Sequence, residues 1–582
     1  MKSMKANETG LPKISHTRGL QWSGRHVSER VSVWTCAFFL FCFLAPFEAA
    51  AAAEVYVRGV VFHDRDGTGA RGAGDEGIPG VMVSNGDAVV RTDAEGRYVL
   101  PARENRSIFV IKPAGWTLPV DDNGLPVFYY NHVPEGSPPL FYGGVDPTGP
   151  LPESVDFPLR RGEAAEDFTV LLVADPQVRH LDQVGYYRKL VVEELAERTD
   201  YEFGIVLGDM VANDLGMFGP YIEVNRRIPR PVYHVLGNHD IDRDAPDERS
   251  GDDTYNRHFG PSTYAFEHGK AFFFVLNNVR FPVDADPGGR VYVGGFADDV
   301  IRFVENTLRH VPVDRLIVLN MHIPLLLGIP GVEDRTFRMN ERRRLLRLFR
   351  DRPNVIALAG HLHYQQHIYI GEEGGWPGLE PLHMWVVGTA SGSHWSGAPD
   401  ERGVPDSMMP DGVPPGYGFL HISGTDYRFA YKAAGYPEDH QMRFTAPRHI
   451  ITGERNLPMY VNVFNGCART TVEFRVLPGG DWHPMQRRWG FDPYYQGRRL
   501  WERDESESPP EGTRLPPPVL TSHLWQARVP RELEPGEYTL EARATDPWGR
   551  TFTARRKVGV HPVEHPYGRL SRGGFEPPPH RQ

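Results

Sequence analysis

From Glu54 to about Arg161, apolar and polar residues alternate in short bursts, VYVRGVVF, GVMVSNG and AVVRTDAEGRYVL, broken by Gly- and Asp-rich stretches. A period of two with no helical period predicts half-buried β-strands. From about residue 164 the pattern changes. Continuous apolar runs (FTVLLVA, FGIVLG, PVYHVLG, AFFFVLN, DRLIVLN, NVIALAG, HMWVVG) are interspersed with helical stretches near 181–198, 296–309 and 340–350. Buried strands alternating with helices predict an α/β layer structure. Beyond residue 436 the β pattern returns in MYVNVFNG, TTVEFRV, YTLEARATD and TFTARRKVGV, separated by Pro-rich loops. The expected organisation is a β-sandwich domain over 54–163, an α/β domain over 164–436, a second β domain over 437–560, and a disordered Pro-, Gly- and Arg-containing tail over 561–582.

The first 53 residues follow another rule. Lys2, Lys5, Lys13, Arg18, Arg25 and Arg30 precede an apolar run from Val31 to Phe47, and Ala51-Ala52-Ala53 then offers the small-residue pattern of a cleavage site. A signal peptide is expected, with the body periplasmic or extracellular; the alternative is an uncleaved amino-terminal anchor. Both place the body outside the cytoplasm. Cys36 and Cys42 lie in the apolar run, so Cys467 remains alone after processing and no internal disulfide is possible. The formal charge is −11, and removing a segment of net +3 leaves −14. No nucleic-acid partner is expected of so acidic a chain.

Candidate chemistry sits where the central apolar runs end. FTVLLVA leads into Asp175-Pro176-Gln177, FGIVLG into Asp209, PVYHVLG into Asn238-His239-Asp240, DRLIVLN into His322, and NVIALAG into His361-Leu362-His363. Strand carboxyl ends in an open α/β sheet share one rim, so these side chains should converge. Asp, Asn, Gln and His are oxygen and nitrogen ligands suited to Mn, Fe or Zn, and there are enough for two divalent ions sharing a carboxylate. Such a pair can activate a bridging hydroxide for in-line attack on phosphorus.

In their order, DPQ, GDM, GNHD, a lone His after a strand and GHLH resemble the calcineurin-like metallophosphoesterases, in the branch with amino- and carboxy-terminal β domains. That resemblance implies an α/β/β/α sandwich core and hydrolysis of a phosphoric ester. It implies a first ion on Asp175, Gln177, Asp209 and His363, and a second on Asp209, Asn238, His322 and His361. His239 would contact the phosphate and assist the leaving group, with Asp240 orienting its imidazole. Many members carry histidine where this chain has Gln177; a neutral amide ligand should loosen the first ion or shift its preference toward manganese.

Softer signals lie outside this set. HDRDGTGARGAGDEGIPGVMV followed by TDAEGRYVL resembles small transthyretin-like (prealbumin-like) sandwich repeats of bacterial surface proteins. Asp64, Asp66 and Asp75 there either bind calcium or cap turns. The Gly/Pro-rich segment 388–418 is long enough to be functional, and Trp395, Asp411 and Tyr417 are expected to shape a leaving-group pocket; a structural cover is the alternative. His383 and His394 receive no role. Against the enzyme stands a non-catalytic envelope or surface protein built on a degraded phosphatase fold with adhesion-like modules. Substrate identity and oligomeric state are not written in these patterns.

Overall fold

A computed structural model describes residues 55–281, 292–332, 334–454, 456–504 and 513–562. The targeting segment and nearly all of the tail lie outside the described residues. Two mixed sheets form the centre. One has the order Val232–His234, Phe203–Val206, Asp167–Val173, Gly416–Ser423, Asp426–Ala433, its first three strands parallel and the last two antiparallel. The other has the order Tyr264–His268, Ala271–Val275, Leu316–Asn320, Val355–Ala359, Leu382–Val386, Gln366–Ile370, with four parallel inner strands and an antiparallel strand at each edge.

The continuous apolar runs belong to strands covered on both faces. Every residue of Phe203–Val206, Leu316–Asn320, Val355–Ala359 and Leu382–Val386 is buried. Between the sheets, the Phe203 ring lies 5.4 Å from both Phe266 and Phe273, and Trp385 lies 4.7 Å from Phe429. Each such buried aromatic contributes about 1.5–3 kcal/mol through burial. Outside the second sheet lies the helix Asp298–Leu308, which buries Val300, Ile301, Phe303, Val304 and Thr307. Asp298 and Asp299 in its first turn complement the positive end of the helix dipole. Phe303 sits 6.1 Å from Phe274 of that sheet. The helical stretch near 181–198 packs on the helix Phe218–Asn225, where Tyr187 stacks on Tyr221 at 5.9 Å. The expected α/β/β/α sandwich is therefore present.

β-rich regions flank it. The amino-terminal part has two four-stranded sheets, joined to the core through a bridge between Lys112 and Phe266 and the Arg302–Asp87 ion pair at 3.0 Å. The carboxy-terminal part has a four- and a five-stranded sheet plus a helix, Pro493–Asp504, that the alternating pattern does not announce. The acidic amino-terminal loop caps turns. Buried Asp64 accepts from the amides of Gly67 and Gly69, with Arg160 Nε 3.1 Å away as its counter-charge. Asp66 accepts from Thr68, and Asp75 from Gly72. These hydrogen bonds are those expected of the turn-capping alternative.

Candidate metal centre

The parallel strands of both sheets deliver their carboxyl ends to one rim, and the residues that follow them meet there. Asp209 is central. Its Oδ1 accepts from the His239 amide at 2.9 Å, while Oδ2 lies 3.1 Å from Gln177 Nε2, 3.3 Å from His322 Nε2 and 3.9 Å from His239 Nε2. His322 Nε2 is also 3.1 Å from Asn238 Oδ1 and 3.2 Å from His361 Nδ1. Ligand atoms of Asp209, His322 and His361 all fall within 4.8 Å of one another. On the other flank, Asp175 accepts the His361 amide at 2.9 Å, and its Oδ1 is 3.6 Å from His363 Nε2.

Packing this many side chains into one rim demands unusual backbone. Asp175, Gln177, Asp209, His361 and His363 all have positive φ, between 43° and 75°. Each costs on the order of 1–2 kcal/mol for an L-residue. Glycines beside them make room: a Cβ on Gly208 would stand 2.4 Å from His322 Nδ1, and one on Gly360 would stand 2.5 Å from Asp175 Oδ2.

The electrostatics fit bound cations. His322 Nδ1 meets the Leu207 carbonyl at 2.8 Å, and His363 Nδ1 meets the Gly392 carbonyl at 2.6 Å. A carbonyl only accepts, so both Nδ1 atoms carry a proton and both Nε2 atoms aim their remaining capacity at carboxylates. Fixing histidine tautomers in this way is how outer partners orient metal ligands. The charges need compensation. Burial pushes Asp175 up to about 8, with His322 opposing and Asp209 adding to the rise. Burial also opposes charge on His322, but Asp209 and Asp175 outweigh it and lift its pKa to about 9. His322 thus holds a proton where a cation would replace it.

Two expectations about neighbouring residues are corrected. Asp240 does not orient His239. It is fully buried, and its two oxygens accept from the Val211 and Gly237 amides, so it shapes the GNHD turn. Asn213 does the orienting instead, with its Oδ1 2.7 Å from His239 Nδ1. Trp395, Asp411 and Tyr417 do not line a pocket, because the carboxy-terminal region covers their segment. Asp411 is fully buried and accepts from the Gln365 amide at 2.8 Å, with His523 Nε2 at 3.1 Å. Tyr417 is fully buried in its strand, and Trp395 is 4% exposed with its indole N–H on the Pro176 carbonyl. His383, between His367 and Tyr427, is a core histidine. His394 is not: it is exposed, pairs through Nδ1 with Gln177 Oε1, and lies with its ring centroid 3.7 Å from that of His363. Neither Asn213 nor His394 carries a sequence signal beyond being polar in a loop near the ligands.

Comparison with known proteins agrees with the geometry. Residues 168–365 match the calcineurin-like phosphoesterase family. Residues 65–140 match its amino-terminal region and 384–552 its carboxy-terminal region. Among solved structures, purple acid phosphatase PPD1 from yellow lupin (Lupinus luteus) seeds is 14% identical, over 62% of this chain and 67% of its own, with a TM-score of 0.34. CopC from Methylosinus trichosporium OB3b is 11% identical, over 21% of this chain and 89% of its own, with a TM-score of 0.12. The Clostridium perfringens spore cortex lytic enzyme SleM is 10% identical, over 69% of this chain and all of its own, with a TM-score of 0.16. No curated protein matches the chain. Structural likeness at these scores carries no argument; the three family matches do, since they follow one another along the chain and the central one spans the residues that meet at the rim. The chain belongs to the calcineurin-like phosphoesterases, metal-dependent hydrolases of phosphoric ester bonds.

Proposed function

We propose that this protein is an exported phosphoesterase that holds two divalent ions, Mn, Fe or Zn, and hydrolyses its ester by direct attack of water. Asp175, Gln177, Asp209 and His363 hold the first ion; Asp209, Asn238, His322 and His361 hold the second. The observation that carries this reading is the pair of histidines, His322 and His363, whose Nδ1 protons are fixed on carbonyls while their Nε2 atoms face Asp209 and Asp175. When bound, the ions supply a water acidified enough to act as nucleophile and neutralise charge on the phosphoryl oxygens.

The side chains do the rest. Asp209 faces both halves of the centre. His239 keeps its Nδ1 proton on the Asn213 oxygen, so the ring acts as its imidazolium: the second proton, on Nε2, is donated to a phosphoryl oxygen and passed to the departing oxygen, leaving the ring neutral. No side chain need attack phosphorus, so no phosphoenzyme is expected. Export rests on the apolar run Val31–Phe47 and the alanines before Glu54.

Purified protein stripped of metal and reloaded with Mn, Fe or Zn should hydrolyse members of a panel of phosphomonoesters and diesters. Binding of two ions with no hydrolysis of any ester would favour the non-catalytic binding protein instead.

A further inference from the structure

The segment after strand Leu382–Val386 returns to the rim with unusual care. The Ala390 amide donates to the Ala174 carbonyl at 2.8 Å and the Ser391 amide to the Asp175 carbonyl at 3.2 Å, laying the loop against the turn that carries Asp175. Gly392 takes the His363 Nδ1 proton on its carbonyl. Trp395 is anchored twice, through its amide to Ser391 at 3.0 Å and through its indole to Pro176 at 2.9 Å. Between these anchors stand two consecutive left-handed residues, His394 at φ 56° and Trp395 at φ 58°. Backbone strain held by its surroundings in this way marks functional positions.

What the strain presents is one imidazole. His394 is exposed, packs on His363 and uses Nδ1 on Gln177, so Nε2 is the ring nitrogen that this contact leaves over. The other end of the Gln177 amide reaches Asp209 Oδ2, the oxygen that also lies 3.9 Å from His239 Nε2. Two imidazoles from different loops thus stand one step from the same carboxylate.

We propose that His394 is a second side-chain contact to the phosphoryl group, donating from Nε2, and that Gln177 prepares it for this. The inference rests on the binuclear reading above. An amide ligates a cation through its oxygen. In the structure the Gln177 oxygen faces His394 Nδ1, which therefore holds the ring proton, and the NH2 end faces Asp209 Oδ2. With an ion bound, half a turn of the amide puts its oxygen on the ion and its NH2 on His394 Nδ1, which then accepts and leaves the ring proton on Nε2. The glutamine at position 177 therefore exchanges ligand strength for a phosphoryl donor.

His394→Asn keeps a residue that tolerates a left-handed backbone but is too short to reach substrate. His394→Gly removes the ring and leaves space for free imidazole. Zinc content, calorimetric affinity of the zinc-loaded full chain for inorganic phosphate, and turnover are measured for both, so that a folding failure in one leaves the other informative. Both variants should keep the wild-type zinc stoichiometry and bind phosphate about tenfold more weakly, and imidazole should restore turnover to His394→Gly. Unchanged phosphate affinity would overturn the inference, as would zinc loss with normal phosphate affinity in the sites still loaded. If the unsubstituted protein binds neither zinc nor phosphate, the reading of the centre itself falls, and that result appears before any substitution is made.

Discussion

Replacing Asp209 by asparagine exchanges a buried carboxylate oxygen for a group that can present only N–H to His322 or Gln177 if its remaining oxygen keeps the His239 amide. In the metal-free protein, burial disfavours a charged His322, yet the carboxylates of Asp209 and then Asp175 raise its pKa to about 9, against an ordinary 6.5. His322 is fully buried, so solvent screens this little. A histidine whose folded pKa is raised contributes stability that is present below pH 6.5 and lost as pH climbs through 9. The difference corresponds to about 3 kcal/mol at pH 6.5 and under about 0.5 kcal/mol at pH 9. Asp209→Asn should therefore destabilise the EDTA-treated protein by up to about 3 kcal/mol at pH 6.5 and by much less at pH 9, measured by urea unfolding of variant and wild type at both values. In metal-loaded protein the same variant should lose bound ions, and turnover should fall by at least about 100-fold. An equal stability gap at both pH values, or none at pH 6.5, would refute the claim that Asp209 holds His322 in its charged form.

Other substitutions separate the roles assigned around the rim. Gly360→Ala places a Cβ 2.5 Å from Asp175 Oδ2, so metal affinity should fall about tenfold, read by metal titration of the stripped protein. Asn213→Ala should cut turnover while leaving metal content unchanged, because it frees the His239 ring; equal metal loss would place Asn213 among the supports of the ligands instead. Asp240→Asn removes one of two acceptors for buried amides and should cost about 1–3 kcal/mol in unfolding experiments, with kcat affected less than by Asn213→Ala. Trp395→Ala should cost about 3–5 kcal/mol of stability yet leave relative kcat/KM across an ester panel unaltered; a changed preference would restore the pocket reading.

The residues that meet at the rim were legible because they follow apolar runs, and a buried parallel strand can only end by delivering its next residues to the rim. What lay one contact further out was not legible. Asp240 stands next to His239 in the chain, but adjacent residues at a tight turn point in different directions, and Asn213, 26 residues away, faces the imidazole instead. The segment 388–418 reads, from its length and its glycines and prolines, as either a pocket loop or a structural cover. Much of it is buried, since Asp411 meets His523, 112 residues later, and the Asp411 carbonyl takes the Asn462 amide, 51 residues later, while His394 and residues 401–403 stay exposed. Alternation of strands and helices likewise does not say how strands divide between sheets. Gly416–Ser423 pairs with Asp167–Val173 across some 250 residues of chain, a pairing that the local pattern does not announce. His394 had no signal at all, since a histidine after Gly-Ser in a polar loop is ordinary until Gln177 is found beside it.

The most direct test of the binuclear centre is anomalous X-ray diffraction from crystals of the protein soaked in Mn2+. The account predicts two peaks, one on each side of the Asp209 carboxylate, within ligand distance of Asp175, Gln177 and His363 on one side and of Asn238, His322 and His361 on the other. A single peak, or none among these residues, would contradict it.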